Sequence, residues 1–227
     1  MDLKQTRIER KWSTNLNNEQ IKLALMNSKF HFKEQHPKRK INSIYFDDNK
    51  HSCILENLSG VNKREKIRVR WYGDYNNIIE PKLEIKIKEN FNTKKIIKKL
   101  NIKNKIYFKD INSIKLIQKK CLEYYNFKYS NLNFFPSHST HYKREYFISN
   151  DKTVRATIDY ELFSYNLFSQ SMNKIKRSYL FNRVLEFKYD YKNEQNVKDL
   201  LEVWNLRLSK NSKFVISAIN EPFSLSI

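Results

Sequence analysis

The sequence feature that most constrains the fold is an alternation of charged and apolar residues in short segments. The alternation is clearest at 66–71 (Lys-Ile-Arg-Val-Arg-Trp) and 83–88 (Leu-Glu-Ile-Lys-Ile-Lys). It continues, with more exceptions, at 184–189, 154–160, 7–12 and 142–147. A period of two is typical of a β-strand with one face in a core. The alternation therefore predicts a strand in each of these segments.

Other segments complete the predicted fold. Residues 41–46, 53–55 and 214–219 read as further strands. Apolar residues at helical spacing predict helices at 17–30, 110–127 and 194–208. The polar, charge-rich stretches 33–40 and 90–105 are expected to be the least ordered. Together these features predict an α+β fold of many antiparallel strands with about three flanking helices.

Composition limits the number of domains and their setting. With only 2 Gly and 4 Pro in 227 residues, the chain has little linker material, and we expect one domain over 1–227. It has no apolar run of about 18 residues that could span a membrane and no signal peptide. Cys53 and Cys121 have no metal-binding or redox spacing. These features predict a cytoplasmic protein.

The charged faces of the predicted strands suggest what the chain binds. Its formal charge of +20 attracts anions. Residues two apart share a face of a strand, so Lys66, Arg68 and Arg70 are expected to lie on one side. If such strands closed into a barrel, their charged faces could line its interior, and a bound polyanion would neutralise them. The alternative is an ordinary sheet whose charged face meets water.

The order of motifs points to a family. In the first half the motifs are Arg7-x-Glu9-Arg10-Lys11, Ser43-Ile44-Tyr45-Phe46-Asp47, Lys66-x-Arg68-x-Arg70-Trp71-Tyr72-Gly73 and Glu84-x-Lys86-x-Lys88. In the second half they are Tyr142-x-Arg144-x-Tyr146, Arg155-x-Thr157-x-Asp159, Leu185-Glu186-x-Lys188 and Ser212-Lys213-Phe214. In this order they resemble the VTC domain, the polyphosphate-polymerase branch of the triphosphate tunnel metalloenzymes. The resemblance extends from Arg7 to about Ile219.

The resemblance implies a fold, an activity and site residues. The implied fold is an antiparallel eight-stranded β-barrel, the triphosphate tunnel, with flanking helices. The implied activity is transfer of the ATP γ-phosphate onto a growing polyphosphate chain, with Mn²⁺ or Mg²⁺ as cofactor. The positions that match catalytic phosphate-binding residues are Lys11, Arg68, Arg70, Lys86, Arg144, Arg155, Lys188 and Lys213. Further substrate contacts are expected from Lys66, Lys88 and Ser212. The implied metal ligands are Glu186 and, as a second, Glu9.

Other functions stay open at this point. A tripolyphosphatase of the same fold is one, although hydrolytic relatives typically begin with Glu-x-Glu-x-Lys and this chain has Arg7 at the first Glu. A non-catalytic module for polyphosphate or nucleic acid is another. The resemblance implies ATP and polyphosphate as partners. Because the chain lacks recognition-helix, zinc-finger and RNP-type signatures, we expect no nucleic acid. A partner protein could supply a membrane anchor.

Overall fold

The chain forms a sheet of antiparallel strands with helices beside it. The computed structural model describes residues 8–90, 92–124, 134–168, 177–180, 183–202, 204 and 212–219. The strands of these residues are β1 (Ile8–Thr14), β2 (Lys33–Asp47), β3 (Lys63–Tyr72), β4 (Lys82–Glu89), β5 (Asn92–Lys99), β6 (Phe135–Ile148), β7 (Arg155–Asn166), β8 (Arg177–Leu180) and β9 (Arg183–Tyr189). The α-helices are α1 (Asn18–Asn27), α2 (Ser52–Ser59), α3 (Ile111–Tyr124), α4 (Glu194–Glu202) and α5 (Lys213–Ile219).

The strand order agrees with the predicted fold class. Eight strands follow one path in the order β1-β9-β7-β6-β2-β3-β4-β5, and β8 pairs with β7 beside that path. Lys11 lies opposite Glu186 in the β1/β9 pair, and Arg68 lies opposite Glu84 in the β3/β4 pair. Opposite residues share a face, so the charged positions of neighbouring strands come together. The α+β class with antiparallel strands and flanking helices is confirmed.

Within the described residues, the alternating segments form strands and the three predicted helices are α1, α3 and α4. Positions 7, 125–127, 203 and 205–208 of these predictions lie outside the described residues. The N-terminus of α1 shows how the sequence stabilises a predicted helix. Asn17 Oδ1 accepts from the Gln20 backbone N–H at 2.8 Å, and Gln20 Oε1 accepts from the Asn17 N–H at 2.9 Å. This capping box satisfies two backbone donors that a helix would otherwise leave unpaired.

The prediction of a strand at 53–55 is wrong, because these residues belong to α2. Asp47, the last residue of β2, and Asp48, which follows it, cap this helix. The Asp47 carboxylate accepts from the backbone N–H groups of Cys53 at 2.8 Å and Ile54 at 3.0 Å, and Asp48 accepts from that of Ser52 at 2.9 Å. Paired with side chains in this way, the first turn of the helix outcompetes an extended conformation.

The prediction of a strand at 214–219 is also wrong, because the segment forms α5. Its buried apolar residues, Phe214 and Ala218, are four positions apart and pack together with Tyr45. That spacing puts them on one face of a helix, whereas the short apolar run was read as an extended strand.

Of the two stretches predicted to be least ordered, 33–40 and the 92–99 part of 90–105 belong to strands, whereas 100–105 lies outside any strand. Residues 33–40 begin β2, and 92–99 form β5, which pairs with β4 from Lys82↔Lys99 to Glu89↔Asn92. Backbone pairing supplies the order that their polar side chains do not indicate. The polar composition reflects exposure, since seven of the eight residues of β5 are exposed.

The chain divides into two compact units, each with its own core. The first unit consists of residues 1–39, 142–162 and 180–211, and the second of 40–141, 163–179 and 212–227. The core of the first unit includes Trp12, Ile21, Leu25, Phe147, Leu185, Phe187 and Val197. The larger core of the second unit includes Ile44, Phe46, Val69, Trp71, Ile85, Phe108 and Ile117.

Two expectations from composition can be compared with the described residues. None of the helices in these residues is long and apolar enough to cross a membrane. Both cysteines are buried and free, and burial raises the pKa of the Cys53 and Cys121 thiols. A raised pKa disfavours the reactive thiolate, so packing accounts for both residues.

Candidate functional site

The residues predicted to bind phosphate or metal fall into two groups, one in each compact unit. The first unit contains Glu9, Lys11, Arg144, Arg155, Glu186 and Lys188. The second unit contains Lys66, Arg68, Arg70, Lys86, Lys88, Ser212 and Lys213. In both groups, cations gather around a buried glutamate.

The Glu186 cluster consists of Glu9, Lys11, Arg144, Glu186 and Lys188. The Glu186 side chain is only 5% exposed and contacts three cations: Lys188 Nζ at 2.8 Å, Lys11 Nζ at 3.4 Å and Arg144 Nη2 at 3.7 Å. Glu9 bridges the two lysines, at 3.0 Å from Lys11 Nζ and 3.4 Å from Lys188 Nζ. The antiparallel pairing of β1 with β9 builds this arrangement, because it sets Glu9 opposite Lys188 and Lys11 opposite Glu186.

Both carboxylates of the Glu186 cluster are ionised at neutral pH. Burial alone would raise the pKa of Glu186, but the charges of Lys11, Arg144 and Lys188 outweigh it and hold the pKa well below its ordinary value. Burial and the charge of Glu186 oppose ionisation of Glu9, yet Lys11 and Lys188 keep its pKa lowered as well. The cluster therefore offers two carboxylates that can accept a cation without first losing a proton.

Arg144 is held in a fixed orientation by a buried aspartate. Its Nε and Nη2 donate to the two carboxylate oxygens of Asp159, at 2.5 and 2.7 Å, and Asp159 is fully buried. Its guanidinium also lies over the Tyr142 ring, 5.5 Å from the centroid. A bidentate pair of this kind fixes the plane of the arginine, so its remaining N–H groups point in a defined direction.

Arg155 extends the positive charge of this face. It lies directly opposite Lys188 in the β7/β9 pair, and its side chain is exposed. Two cations side by side repel each other unless an anion lies between them. Arg155 therefore adds positive charge beside a lysine that already pairs with Glu9 and Glu186.

The Glu84 cluster consists of Tyr45, Arg68, Arg70, Glu84 and Lys95. Arg68 donates through Nε and Nη2 to Glu84 Oε2, at 2.9 and 2.6 Å, and through Nη1 to the Tyr45 hydroxyl at 3.3 Å. Lys95 Nζ lies 3.2 Å from Glu84 Oε1, and Arg70 Nη1 lies 3.7 Å from Oε2. The register of β3 with β4 sets Arg68 opposite Glu84.

Electrostatics in the Glu84 cluster favour anions. Burial would raise the pKa of Glu84, but Arg68, Arg70 and Lys95 lower it to about 2. Burial likewise opposes ionisation of Tyr45, yet Arg68, Arg70 and Lys213 lower the pKa of its phenol. A lowered phenol pKa shows that positive charge outweighs burial at this point.

The segment leading into α5 brings two predicted residues to the second unit. Lys66 Nζ donates to the Ser212 hydroxyl at 3.0 Å. The Phe214 ring stacks on Tyr45 with centroids 4.9 Å apart, which places the neighbouring Lys213 where its charge acts on the Tyr45 phenol. Ser212 and Lys213 thus lie close to the charged face of β3, as a role in phosphate binding requires.

Lys86 and Lys88 occupy the same strand but differ in environment. Lys86 is exposed and lies opposite Lys66 on one side and Lys95 on the other. Lys88 is half-buried and lies opposite Arg64. Three lysines therefore lie side by side across β3, β4 and β5, which concentrates positive charge around Lys86.

A divalent metal fits the Glu186 cluster only together with phosphate. The described residues contain no group of three or more His, Cys, Asp or Glu side chains arranged around one point. Mg²⁺ and Mn²⁺ prefer about six oxygen ligands, and Mg²⁺ is commonly held by one or two carboxylates plus phosphates and water. Glu9 and Glu186 would supply the carboxylates, and phosphate oxygens would complete the shell.

Sequence reasoning missed four residues that organise the two clusters: Tyr45, Glu84, Lys95 and Asp159. Glu84 and Asp159 did have a signal, since Glu84 lies two positions from Lys86 and Asp159 four positions from Arg155, and both spacings put the acid on the same strand face as the cation. Lys95 had none, because its segment was expected to be poorly ordered. Arg7, the position that departs from the hydrolytic motif, lies outside the described residues.

Comparisons with known proteins bear on the family and on the fold. A family model described as VTC domain matches residues 3–219, across both compact units. Among curated proteins none matches the chain. Among solved structures, a putative adenylate cyclase from Vibrio parahaemolyticus aligns over 94% of this chain and 98% of its own, with a TM-score of 0.50 and 10% identity. A putative adenylyl cyclase from Hippeastrum, described as having a dominant triphosphatase activity, aligns over 97% and 99%, with a TM-score of 0.49 and 12% identity.

Proposed function

Because the chain belongs to the VTC domain family, we propose that it is a polyphosphate polymerase that transfers the γ-phosphate of ATP onto a growing polyphosphate chain and releases ADP. The observation that supports this most is the pair of clusters in which lysines and arginines surround a buried, ionised glutamate. Phosphoryl transfer asks the protein mainly to position the reactants and to stabilise negative charge. Cations fixed by carboxylates meet both requirements.

The Glu84 cluster is suited to hold the phosphates. Arg68 contacts Glu84 through Nε and Nη2 and Tyr45 through Nη1, so its orientation is set before substrate arrives. Planar guanidinium groups bind phosphate oxygens in bidentate fashion. Such preorganised donors stabilise the transferred group without having to reorganise during the reaction.

The Glu186 cluster is suited to hold a divalent cation and a phosphate together. A bound Mn²⁺ or Mg²⁺ would neutralise charge on the phosphate oxygens. Lys11 and Lys188 now lie against the carboxylates, and they can turn to phosphate oxygens when these carboxylates bind the cation. Arg144, held by Asp159, keeps its position throughout.

The acceptor needs no catalytic base. The terminal phosphate of a polyphosphate chain is largely an oxyanion at neutral pH, since the second pKa of a phosphate group is about 6. The attacking oxygen therefore carries its charge already. Among the described residues, neither cluster contains a His or a Cys. This is consistent with an acceptor that needs no catalytic base.

A second candidate is a triphosphatase of the same fold. It is favoured by the proximity of two carboxylates, Glu9 and Glu186, which can position a metal-bound water for hydrolysis. The two activities differ in the acceptor, which is a phosphate chain in one and water in the other.

One experiment separates these functions. Purified protein is incubated with ATP and Mn²⁺ or Mg²⁺, and the products are resolved on a gel stained for polyphosphate while ADP and free phosphate are measured. Polymer with equimolar ADP is the expected result. Free phosphate without polymer would favour the triphosphatase. No release of ADP or phosphate with either metal would contradict both enzymatic proposals.

A further inference from the structure

Three hydroxyl groups in the second unit are buried and have no hydrogen-bond partner. Ser43 and Ser164 are 0% exposed and Thr140 is 2% exposed. Within the part of the chain that the structure describes, Oγ of Ser43, Oγ1 of Thr140 and Oγ of Ser164 all lack a partner. Burying a hydroxyl without a hydrogen bond is unfavourable, so a group of three calls for an explanation.

The hydroxyls of Ser43 and Thr140 come from neighbouring strands. Two hydrogen bonds align β6 with β2: His141 Nδ1 with Asn42 Oδ1 at 2.9 Å, and Ser137 Oγ donating to the Tyr45 carbonyl at 3.1 Å. Thr140 precedes His141 just as Ser43 follows Asn42. In an antiparallel pair this brings Thr140 alongside Ser43, on the face opposite to His141 and Asn42.

Ser164, on the next strand β7, extends the pair of Ser43 and Thr140 to a row of three hydroxyls, called here the hydroxyl row. The Leu167 N–H donates to the Ser137 carbonyl at 2.8 Å, and counting three residues from each end sets Ser164 opposite Thr140. The ring of Phe163, the residue before Ser164, stacks on His141 with centroids 4.9 Å apart. Ser164 must therefore point to the other face, the one that carries Thr140.

The row ends at a cation of the Glu84 cluster. Ser43 lies opposite Arg70 in the β2/β3 pair. The Nε of Arg70 is buried and, like the three hydroxyls, has no hydrogen-bond partner among the described residues. Its nearest acidic contact, Glu84 Oε2, is 3.7 Å from Nη1, too far for a direct hydrogen bond.

We infer that the side chains of Ser43, Thr140 and Ser164, together with Arg70, form a subsite for the bridging or terminal oxygens of a phosphoanhydride chain. This inference rests on the proposed function and adds residues that bind the substrate through neutral hydroxyls. A phosphate oxygen is the partner that all four groups lack, because each of them can donate a hydrogen bond to it. Arg70 supplies the charge, and the hydroxyls supply contacts that weaken less with salt than ion pairs do.

Because its donors are uncharged, the hydroxyl row gives a polymerase a specific advantage. A growing polyanion must be held during transfer and then move on by one unit. A site lined only by cations would hold each phosphate strongly and slow that movement. Hydroxyl donors contribute less binding free energy than charged donors, and they let the chain slide past Arg70.

Access to the row requires a small rearrangement. The three hydroxyls are screened from solvent, and the Arg70 side chain is 12% exposed. Since Arg70 Nε has no hydrogen-bond partner among the described residues and its Nη1 lies 3.7 Å from Glu84 Oε2, Arg70 breaks no direct hydrogen bond to Glu84 when it turns toward an entering phosphate. The pairing of Arg68 with Glu84 at 2.6 Å is tighter, so Arg68 keeps its place.

The test measures tripolyphosphate binding by titration calorimetry in the absence of metal, so that no turnover occurs. The variants are Ser43→Ala, Thr140→Val and Ser164→Ala, singly and combined. Each lost hydroxyl should weaken binding by about threefold to tenfold, as expected for a neutral hydrogen bond. The matched control is Ser139→Ala, a buried serine on the opposite face of β6 whose Oγ pairs with His141 Nε2 at 3.0 Å.

Thermal unfolding of the ligand-free variants provides a second readout. Removing an unpaired buried hydroxyl should leave the Tm unchanged or raise it, whereas Ser139→Ala should lower it. Weaker binding at an unchanged or higher Tm would support the subsite. Unchanged affinity in the combined variant would overturn it, and a lowered Tm with unchanged affinity would assign the hydroxyls to the fold.

The outcome is separable from that of the proposed function. If the wild type binds tripolyphosphate and the variants bind more weakly, yet no polymer forms from ATP, the subsite stands and the polymerase proposal falls. If polymer forms normally and the combined variant binds like the wild type, the polymerase proposal stands and the subsite falls.

Discussion

The two glutamate-centred clusters differ in their balance of charge. The Glu186 cluster sets two carboxylates against three cations, and Asp159 adds a third carboxylate through its pair with Arg144. The Glu84 cluster sets a single carboxylate against three cations. A balanced cluster can exchange a lysine for a metal ion without gaining much net charge. A cluster with excess positive charge gains from an anion instead.

The largest expected effect comes from an arginine of the cationic cluster. Arg68→Ala should lower kcat for ATP turnover by about 100-fold to 1000-fold, the range found when one preorganised donor is removed from a transition state. Steady-state kinetics of ADP release would measure it. The control is Arg64→Ala on the same strand, whose guanidinium donates to the Gly60 and Val61 carbonyls. A kcat within about tenfold of wild type would show that the cluster does not act on the transferred phosphate.

Removing the carboxylate of the same cluster should change stability in a pH-dependent way. The folded-state pKa of Glu84 is about 2, below its ordinary value of 4.5, so its ionised form stabilises the folded protein above pH 4.5. That stabilisation decreases as pH falls from 4.5 toward 2, where the folded protein takes up the proton as well. Glu84→Gln should therefore lower the free energy of unfolding by about 3 kcal/mol at pH 7.

Urea unfolding of wild type and Glu84→Gln at a series of pH values would measure this difference. The gap should be largest at neutral pH and should narrow below pH 4.5. The control is Glu80→Gln, since Glu80 is exposed and pairs with Lys99 at the surface. A gap that stays constant with pH would mean that packing, and not charge, accounts for the loss.

The alternating segments allowed the strands and their charged faces to be predicted, because period two requires no knowledge of distant contacts. The helices α2 and α5 were mistaken for strands because local side-chain caps and tertiary packing decide their conformation. Asp47 fixes the first turn of α2 through two backbone N–H groups. Phe214 is held by stacking on Tyr45, which is 169 positions earlier in the chain and beyond any local pattern.

For the candidate site, the sequence predicted most of the residues but not the contacts between them. The family motifs predicted residues in both clusters, although those of the Glu186 cluster lie on strands whose alternation has exceptions. The motifs did not predict which carboxylate each cation would contact. That choice depends on register, and Lys95 reaches Glu84 only because β5 pairs with β4. A segment of polar residues carries no sequence signal for such a pairing.

The balanced cluster should respond to substitution mainly through its metal requirement. Glu186→Gln keeps the size of the side chain and removes a metal-binding charge, so the Mn²⁺ or Mg²⁺ concentration for half-maximal activity should rise by about tenfold to 100-fold. Metal titrations of activity would measure it. Glu194→Gln is the control, because Glu194 is also buried and bonds the Tyr189 hydroxyl at 2.8 Å. An unchanged metal requirement would remove Glu186 from the metal site.

The smallest expected effect distinguishes the two kinds of cation within the Glu84 cluster. The Lys95 side chain is 47% exposed, whereas that of Arg68 is 24% exposed and is bound through three hydrogen bonds. An exposed ion pair contributes about 0.2–1 kcal/mol, so Lys95→Ala should weaken tripolyphosphate binding by about threefold at low salt and less at high salt. Lys94→Ala, the neighbouring exposed lysine on the other face of β5, should change nothing beyond the general loss of one charge. Calorimetric titrations with tripolyphosphate at two ionic strengths would distinguish Lys95→Ala from Lys94→Ala. If Lys95→Ala weakened binding as strongly as Arg68→Ala, and independently of salt, the exposed lysine would be a direct phosphate ligand and the cluster would extend to the edge strand.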